Sequence, residues 1–138
     1  MYSMLLDIKS DIHEISYDTD KSLMINRWLD HHVITFNNER YKNEVISWVK
    51  AFHEFSPKLC LSDLSNFQYK LSEEIQEWSA TYSRKNLGKL HLQKYAVVVS
   101  QDFMTHIAIE NILDEYNVSY EYQYFLTIDD AMFWLLNN

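Results

Sequence analysis

Lys58-Leu59-Cys60-Leu61-Ser62-Asp63-Leu64, then Ser65-Asn66-Phe67-Gln68-Tyr69-Lys70-Leu71, then Ser72-Glu73-Glu74-Ile75-Gln76-Glu77-Trp78, is the stretch that decides the fold class. It reads as a short apolar strand ending at an acid, a connecting loop, and a helix opening on a serine. Strands alternating with helices build α/β sheets. In open α/β sheets, ligand and partner sites gather at the carboxyl ends of the strands. Asp63 and Ser72 therefore lie where a site is expected.

The flanking sequence repeats the alternation. On the C-terminal side, Tyr95-Ala96-Val97-Val98-Val99 is apolar on both faces, the pattern of a central strand covered from both sides. A further helix is expected to carry Ile109, Ile112, Leu113 and Tyr116, with Asp102 ahead of it as a cap. Val118 to Phe125 reads as a last strand, and Thr127-x-x-Asp130 resembles a capping box for a short terminal helix. On the N-terminal side, Asn37-Asn38-Glu39 opens a helix with a cap and an early acid. Tyr41, Val45, Trp48, Val49, Phe52 and Phe55 follow at helical spacing, and the helix stops before Pro57. Ahead of it, Asp11–Tyr17 and Lys21–Trp28 alternate around the polar turn Asp18-Thr19-Asp20-Lys21, an antiparallel hairpin. Residues 1–10 add an edge strand. The expectation is one α/β domain over residues 1–138, with its core at about 11–136, a mixed and mostly parallel sheet of five or six strands, and about four helices.

Composition sets the class. The chain has 138 residues, 47% of them hydrophobic and 15% aromatic, enough for a real core. A net charge of −8 argues against nucleic acid and against anionic membrane surfaces. No apolar run approaches the ~20 residues that span a bilayer, so membrane insertion is not expected. Met1–Asp7 has neither a basic region nor a long apolar core, so no signal peptide is expected. With Cys60 as the single cysteine no internal disulfide forms, and a cytoplasmic location follows as the default. Gly88 and Pro57 are each the only residue of their type. Phosphate loops, dinucleotide fingerprints and nucleophile elbows all need more glycine than this. No cofactor is expected.

Each residue type that could carry chemistry has a plainer role available. Ser72 suffices as a helix cap, and Asp63 is favoured as a turn former over a ligand contact. His31-His32 is the only histidine pair. On a strand the two rings point to opposite faces and chelate poorly, so no metal site is expected. Cys60, within an apolar strand, reads as an inert core residue. Tyr120, Tyr122 and Tyr124 share one strand face. They pack under a helix, line a lipid or small-molecule pocket, or form a homodimer surface, packing being favoured. Trp78, with Trp48 and Trp134, sits on a helix and reads as core or interface. Tyr122, Tyr124 and Trp78 are the candidate lining of a ligand pocket.

With its elements in this order the chain resembles the SpoIIAA-like, or STAS-type, domains of bacteria, over roughly residues 11 to 136. The resemblance rests on Trp28 ending the second strand, Glu39 near the first helix start, Leu61-Ser62-Asp63, Ser72-Glu73-Glu74-x-x-x-Trp78 and Ala96-Val97-Val98-Val99. Asp102-Phe103, Ile109-Glu110, Phe125 and Ala131-x-x-Trp134-Leu135 complete it. In the phosphorylation-regulated members a serine opens the helix after an Asp-Leu-Ser strand end. Asp63-Leu64-Ser65 matches that strand end, and Ser72 falls at the serine position. Where the family's switch motif resembles Asp-Ser-Ser-Gly, this chain has Leu71-Ser72-Glu73-Glu74, so the likeness is to divergent members without the switch. The resemblance implies a non-enzymatic cytoplasmic signalling or protein-interaction domain, with a protein partner docking at Asp63, Ser65 and Ser72. The alternative is a domain that holds a small apolar, lipid-like ligand between helix and sheet.

Overall fold

The structure, a computed structural model, describes residues 5–29, 37–67, 69–87, 91–99, 110, 112 and 120–137. Among these the chain forms strands β1 (Leu5–Lys9), β2 (His13–Asp18) and β3 (Leu23–Trp28), helix α1 (Asn38–Phe55), β4 (Leu59–Asp63), α2 (Glu73–Leu87), β5 (Lys94–Val98), β6 (Glu121–Phe125) and a terminal helix α3 (Ile128–Leu136). Glu110 and Ile112, from the helix expected between β5 and β6, are helical. The rest of that helix, with Asp102, lies outside the described residues, as do His31 and His32. The count is therefore three helices among the described residues, against about four expected.

The six strands form one sheet in sequence order, β1 to β6. β1, β2 and β3 pair antiparallel; β3 to β6 pair parallel. Each parallel strand is added on the same side of the last, so crossovers of one hand land on one face. α1 and α2 share that face, packing Tyr41, Val45, Val49, Phe52, Ile75, Ala80 and Leu87 over Ile15, Met24, Cys60, Tyr95 and Val97. Ile112 joins the same cluster. α3 covers the opposite face with Ala131 and Leu135 against Leu23, Leu61, Ala96 and Val98. The doubly apolar pattern of β5 has this cause: Tyr95 and Val97 point to one layer, Ala96 and Val98 to the other. On β2 and β3 the α3 side instead carries Glu14 opposite Arg27, with Lys9 of β1 3.5 Å from Glu14. A polar face is what an antiparallel section open to water on one side presents.

The helix starts are built from local side chains. Asn37 accepts the Arg40 N–H at 2.9 Å, and Thr127 accepts the Asp130 N–H at 3.1 Å. Helix α1 ends at Phe55, before Pro57 as expected. Proline disfavours right-handed helical geometry in the residue before it, and Ser56 is left-handed at φ 45°. Its N–H closes the helix by bonding Phe52 O at 2.8 Å. Ser22, at φ 51°, is the other non-glycine residue of this kind. Its hydroxyl meets the Tyr17 hydroxyl at 3.2 Å and accepts the Lys58 N–H at 3.1 Å, tying the hairpin to the start of β4.

These two serines should respond differently to glycine. A side chain in the left-handed region costs about 1–2 kcal/mol, and glycine returns part of that through unfolded-state entropy. Ser56→Gly is expected to raise stability by up to about 1 kcal/mol. Ser22→Gly loses its hydroxyl contacts and is expected to lower it by about 1 kcal/mol. Urea midpoints at unchanged slope measure both, and the reverse order would contradict this account of the two turns.

Candidate functional site

The chemically capable side chains of this chain meet beneath α1 and α2, on three adjacent strands. Period-two alternation turns His13 of β2, Asn26 of β3 and Ser62 of β4 toward the helices. All three are buried. Asn26 and Ser62 are direct partners in the parallel register. Glu44 and Trp48 reach down from α1, one helical turn apart, and Tyr95 comes across from β5.

The bonds among these groups have a determined direction. Trp48 Nε1–H can only donate, and it lies 3.0 Å from Asn26 Oδ1. That fixes the amide: Oδ1 faces Trp48, and it also accepts the Ser62 hydroxyl. Asn26 Nδ2 then faces His13 Nε2 at 3.1 Å, and because an amide nitrogen can only donate, Nε2 accepts. The imidazole proton sits on Nδ1, which donates to Glu44 Oε1 at 3.1 Å. At the other end the Tyr95 hydroxyl donates to Ser62 Oγ at 2.7 Å. The result is one polar chain, Glu44–His13–Asn26–Ser62–Tyr95, with Trp48 as a branch. The His13 ring stacks on Trp28, centroids 4.2 Å apart and planes 10° apart.

Above this chain lies a cavity of about 80 Å³. Trp28, Tyr41, Trp48, Phe67, Tyr95 and Tyr120 supply its aromatic walls, and Ser62, Ser79 and Ser83 its hydroxyls. Tyr41 shares a 2.8 Å hydrogen bond with Ser79. Burial pushes the Tyr41 hydroxyl up to about 12, with the Ser79 bond acting in the opposite direction. Burial likewise pushes Tyr95 and the Cys60 thiol well up. Cys60 is thus held as the neutral thiol, an inert core residue as its strand position implied.

The residues expected at the strand-end loop are placed as follows. Asp63 is 4% exposed. Its Oδ1 accepts the Ser65 backbone N–H at 3.1 Å and the Ser65 hydroxyl at 2.6 Å, and its Oδ2 lies 3.3 Å from Arg27 Nε. Asp63 is therefore a turn former, the favoured reading, braced by an arginine from the neighbouring strand. Ser72 is exposed and caps α2, its Oγ accepting the Ile75 N–H at 3.3 Å. The structure joins Asp63 to Ser65 but not to Ser72. The expected pocket aromatics are elsewhere. Trp78 stacks on Tyr82 with Lys42 Nζ above its ring, and Tyr122 and Tyr124 pack against the core at 6.2 Å from each other. None of the three lines the cavity; their neighbours Ser79 and Tyr120 do.

Sequence reading missed the polar chain and assigned no role to His13. One signal was present: a polar residue at a core-facing position in each of three consecutive strands, where alternation calls for apolar ones. No protein-family model, curated protein or solved structure matches this chain. No described helix is long and apolar enough to cross a membrane.

Two measurements test this geometry. Asn26→Ala leaves Trp48 Nε1 and His13 Nε2 without a partner and the Ser62 O–H without its acceptor, at about 1–3 kcal/mol for each buried group. A loss of at least about 3 kcal/mol is expected in urea denaturation, against about 1 kcal/mol for the cap variant Ser72→Ala; equal losses would contradict the network. Alkaline pH gives the second. The folded value of Tyr41 lies above the ordinary unfolded value of about 10, so folding favours its neutral form. That stabilisation is complete below pH ~10 and is lost as pH rises toward ~12. Melting temperature should fall across that window, less steeply in Tyr41→Phe.

Proposed function

We propose that this chain is a non-enzymatic regulatory or protein-interaction domain of STAS type, acting in the cytoplasm. Its protein partner docks at the Asp63–Ser72 loop and the first turn of α2. The observation that carries the reading is the division between interior and surface. Inside, His13, Glu44, Asn26, Ser62 and Tyr95 bond to one another. At the strand ends, Arg27 and Ser65 hold Asp63, so the turn at Asp63–Ser65 is braced, and the chain leads on to Ser72, Glu73 and Glu74, all exposed. A braced turn ahead of an exposed helix start suits recognition, because less ordering entropy is lost on binding. The hairpin followed by alternating strands and helices, with helices on both faces, supports the STAS-type part of the reading.

The cavity gives the lipid-like alternative less support. Ligand pockets ordinarily offer ~300–1,000 Å³, and this one offers about 80 Å³.

The docking surface is tested with Glu73→Lys/Glu74→Lys, which reverses its charge and leaves the Ser72 cap in place. A protein captured by the immobilised full chain and lost to this variant, with melting temperature kept, is the expected result. An unchanged set of captured proteins would remove the helix start from the reading.

A further inference from the structure

α2 turns an apolar stripe toward the sheet, and two serines interrupt it. Ser79 and Ser83 are four residues apart, so they lie on one face a turn apart. Both are buried, and both line the cavity. Ser79 is engaged by the Tyr41 hydroxyl. Ser83 differs: it is 5% exposed, it lines the cavity, and no hydrogen bond joins its hydroxyl to another described residue. A hydroxyl that faces a cavity is met by whatever occupies it.

Size and chemistry limit that occupant. Liquid water takes ~30 Å³ per molecule, and a cavity that admits benzene measures ~150 Å³. The cavity of about 80 Å³ therefore takes a molecule of a few heavy atoms, not an aromatic ring or an acyl chain. Among its described lining residues there is no aspartate, glutamate, lysine or arginine. His13 has both ring nitrogens engaged, by Glu44 and by Asn26. An ion would enter without a counter-charge, which a low-dielectric site penalises heavily. Water alone is a poor match as well. A buried water makes about three hydrogen bonds, whereas most of this wall is apolar, formed by Trp28, Val45, Leu64, Phe67 and Ile112.

We propose that the cavity is a binding site for a compact uncharged molecule with one hydrogen-bonding group and a short apolar part, of the small-alcohol or primary-amide class. The Ser83 hydroxyl makes the polar contact, and Trp28, Leu64 and Phe67 hold the apolar part. Leu64 and Phe67 belong to the strand-end loop, so the site adjoins it; the polar contact is on α2, and the inference stands whether or not a protein docks at the loop.

Trp48 reports on occupancy, because it lines the cavity and its indole N–H bonds Asn26, another lining residue. The full chain is titrated with 1-propanol and acetamide, and in parallel with the charged analogues acetate and ethylammonium, following the Trp48 indole signal by heteronuclear NMR. Expected are saturable shifts with the neutral probes and affinities at least about tenfold weaker for the charged ones. Ser83→Ala keeps the helix, since alanine is the best helix former, and is expected to weaken the neutral probes at least about fivefold at unchanged melting temperature. Shifts that rise linearly without saturating, equal responses to neutral and charged probes, or unchanged affinity in Ser83→Ala would each overturn the proposal.

Discussion

The side chain of Asn26 is the junction on which one face of this protein is organised. Its oxygen receives Trp48 from α1 and Ser62 from β4, and its nitrogen donates to His13 on β2. Through Ser62 it reaches Tyr95 on β5, and through His13 it reaches Glu44 back on α1. Four adjacent strands and a helix are thus related by bonds whose direction leaves no alternative arrangement. Hydrophobic contact is tolerant of sliding; a directed polar chain is not. A satisfied buried network fixes one packing among many of similar apolar burial. Stacking of His13 on Trp28, and of Trp28 edge-on against Phe67 at 4.8 Å, carries that constraint from the sheet into the loop after β4.

The sheet provides the frame for this junction. Adding parallel strands in sequence order keeps α1 and α2 on one face, and among the described helices it leaves α3 on the other. The two layers are not equivalent. The α3 layer is small, with an aliphatic buried cluster against which Phe125 and Trp134 pack. The α1–α2 layer is large and aromatic, and it encloses both the polar chain and the cavity. Bulky rings at fixed angles leave a gap that aliphatic side chains would fill by changing rotamer. Ser79 and Ser83, small residues at inward positions of α2, widen that gap. The strand-end loop belongs to the opposite logic. Asp63 sits on the α3 side of β4, held from beside by Arg27, and its bonds shape the chain as it leaves the sheet.

These features separate recognition from reactivity. The groups with chemical potential are buried and engaged with one another, the thiol is held neutral, and the polar surface at the start of α2 lies beyond a braced turn. The proposed binding role draws on that arrangement.

Much of the fold was legible because it depends on neighbours in sequence. Asn37, Ser72 and Thr127 announced helix starts that close by bonds three residues on. The polar turn after Asp18 announced the hairpin, and the double apolarity of Tyr95–Val98 announced layers on both sides. Asp63 as a turn former was legible for the same reason, its partner being two residues away. Tyr122 and Tyr124 were correctly placed on one face, but what stands opposite that face is not written in their spacing. His13 and Glu44 are thirty-one positions apart, and Ser62 and Asn26 thirty-six. Their meeting requires the strand order and the docking of α1, and both arise from burial of the whole core. The sequence by itself determined the elements, their caps and the alternation that makes an α/β domain, because those follow from local geometry. Only the tertiary structure decided that three inward polar residues become one bonded chain, and that two serines on α2 face a cavity. Side-chain partners across a sheet are chosen by register and packing, and no local pattern encodes either.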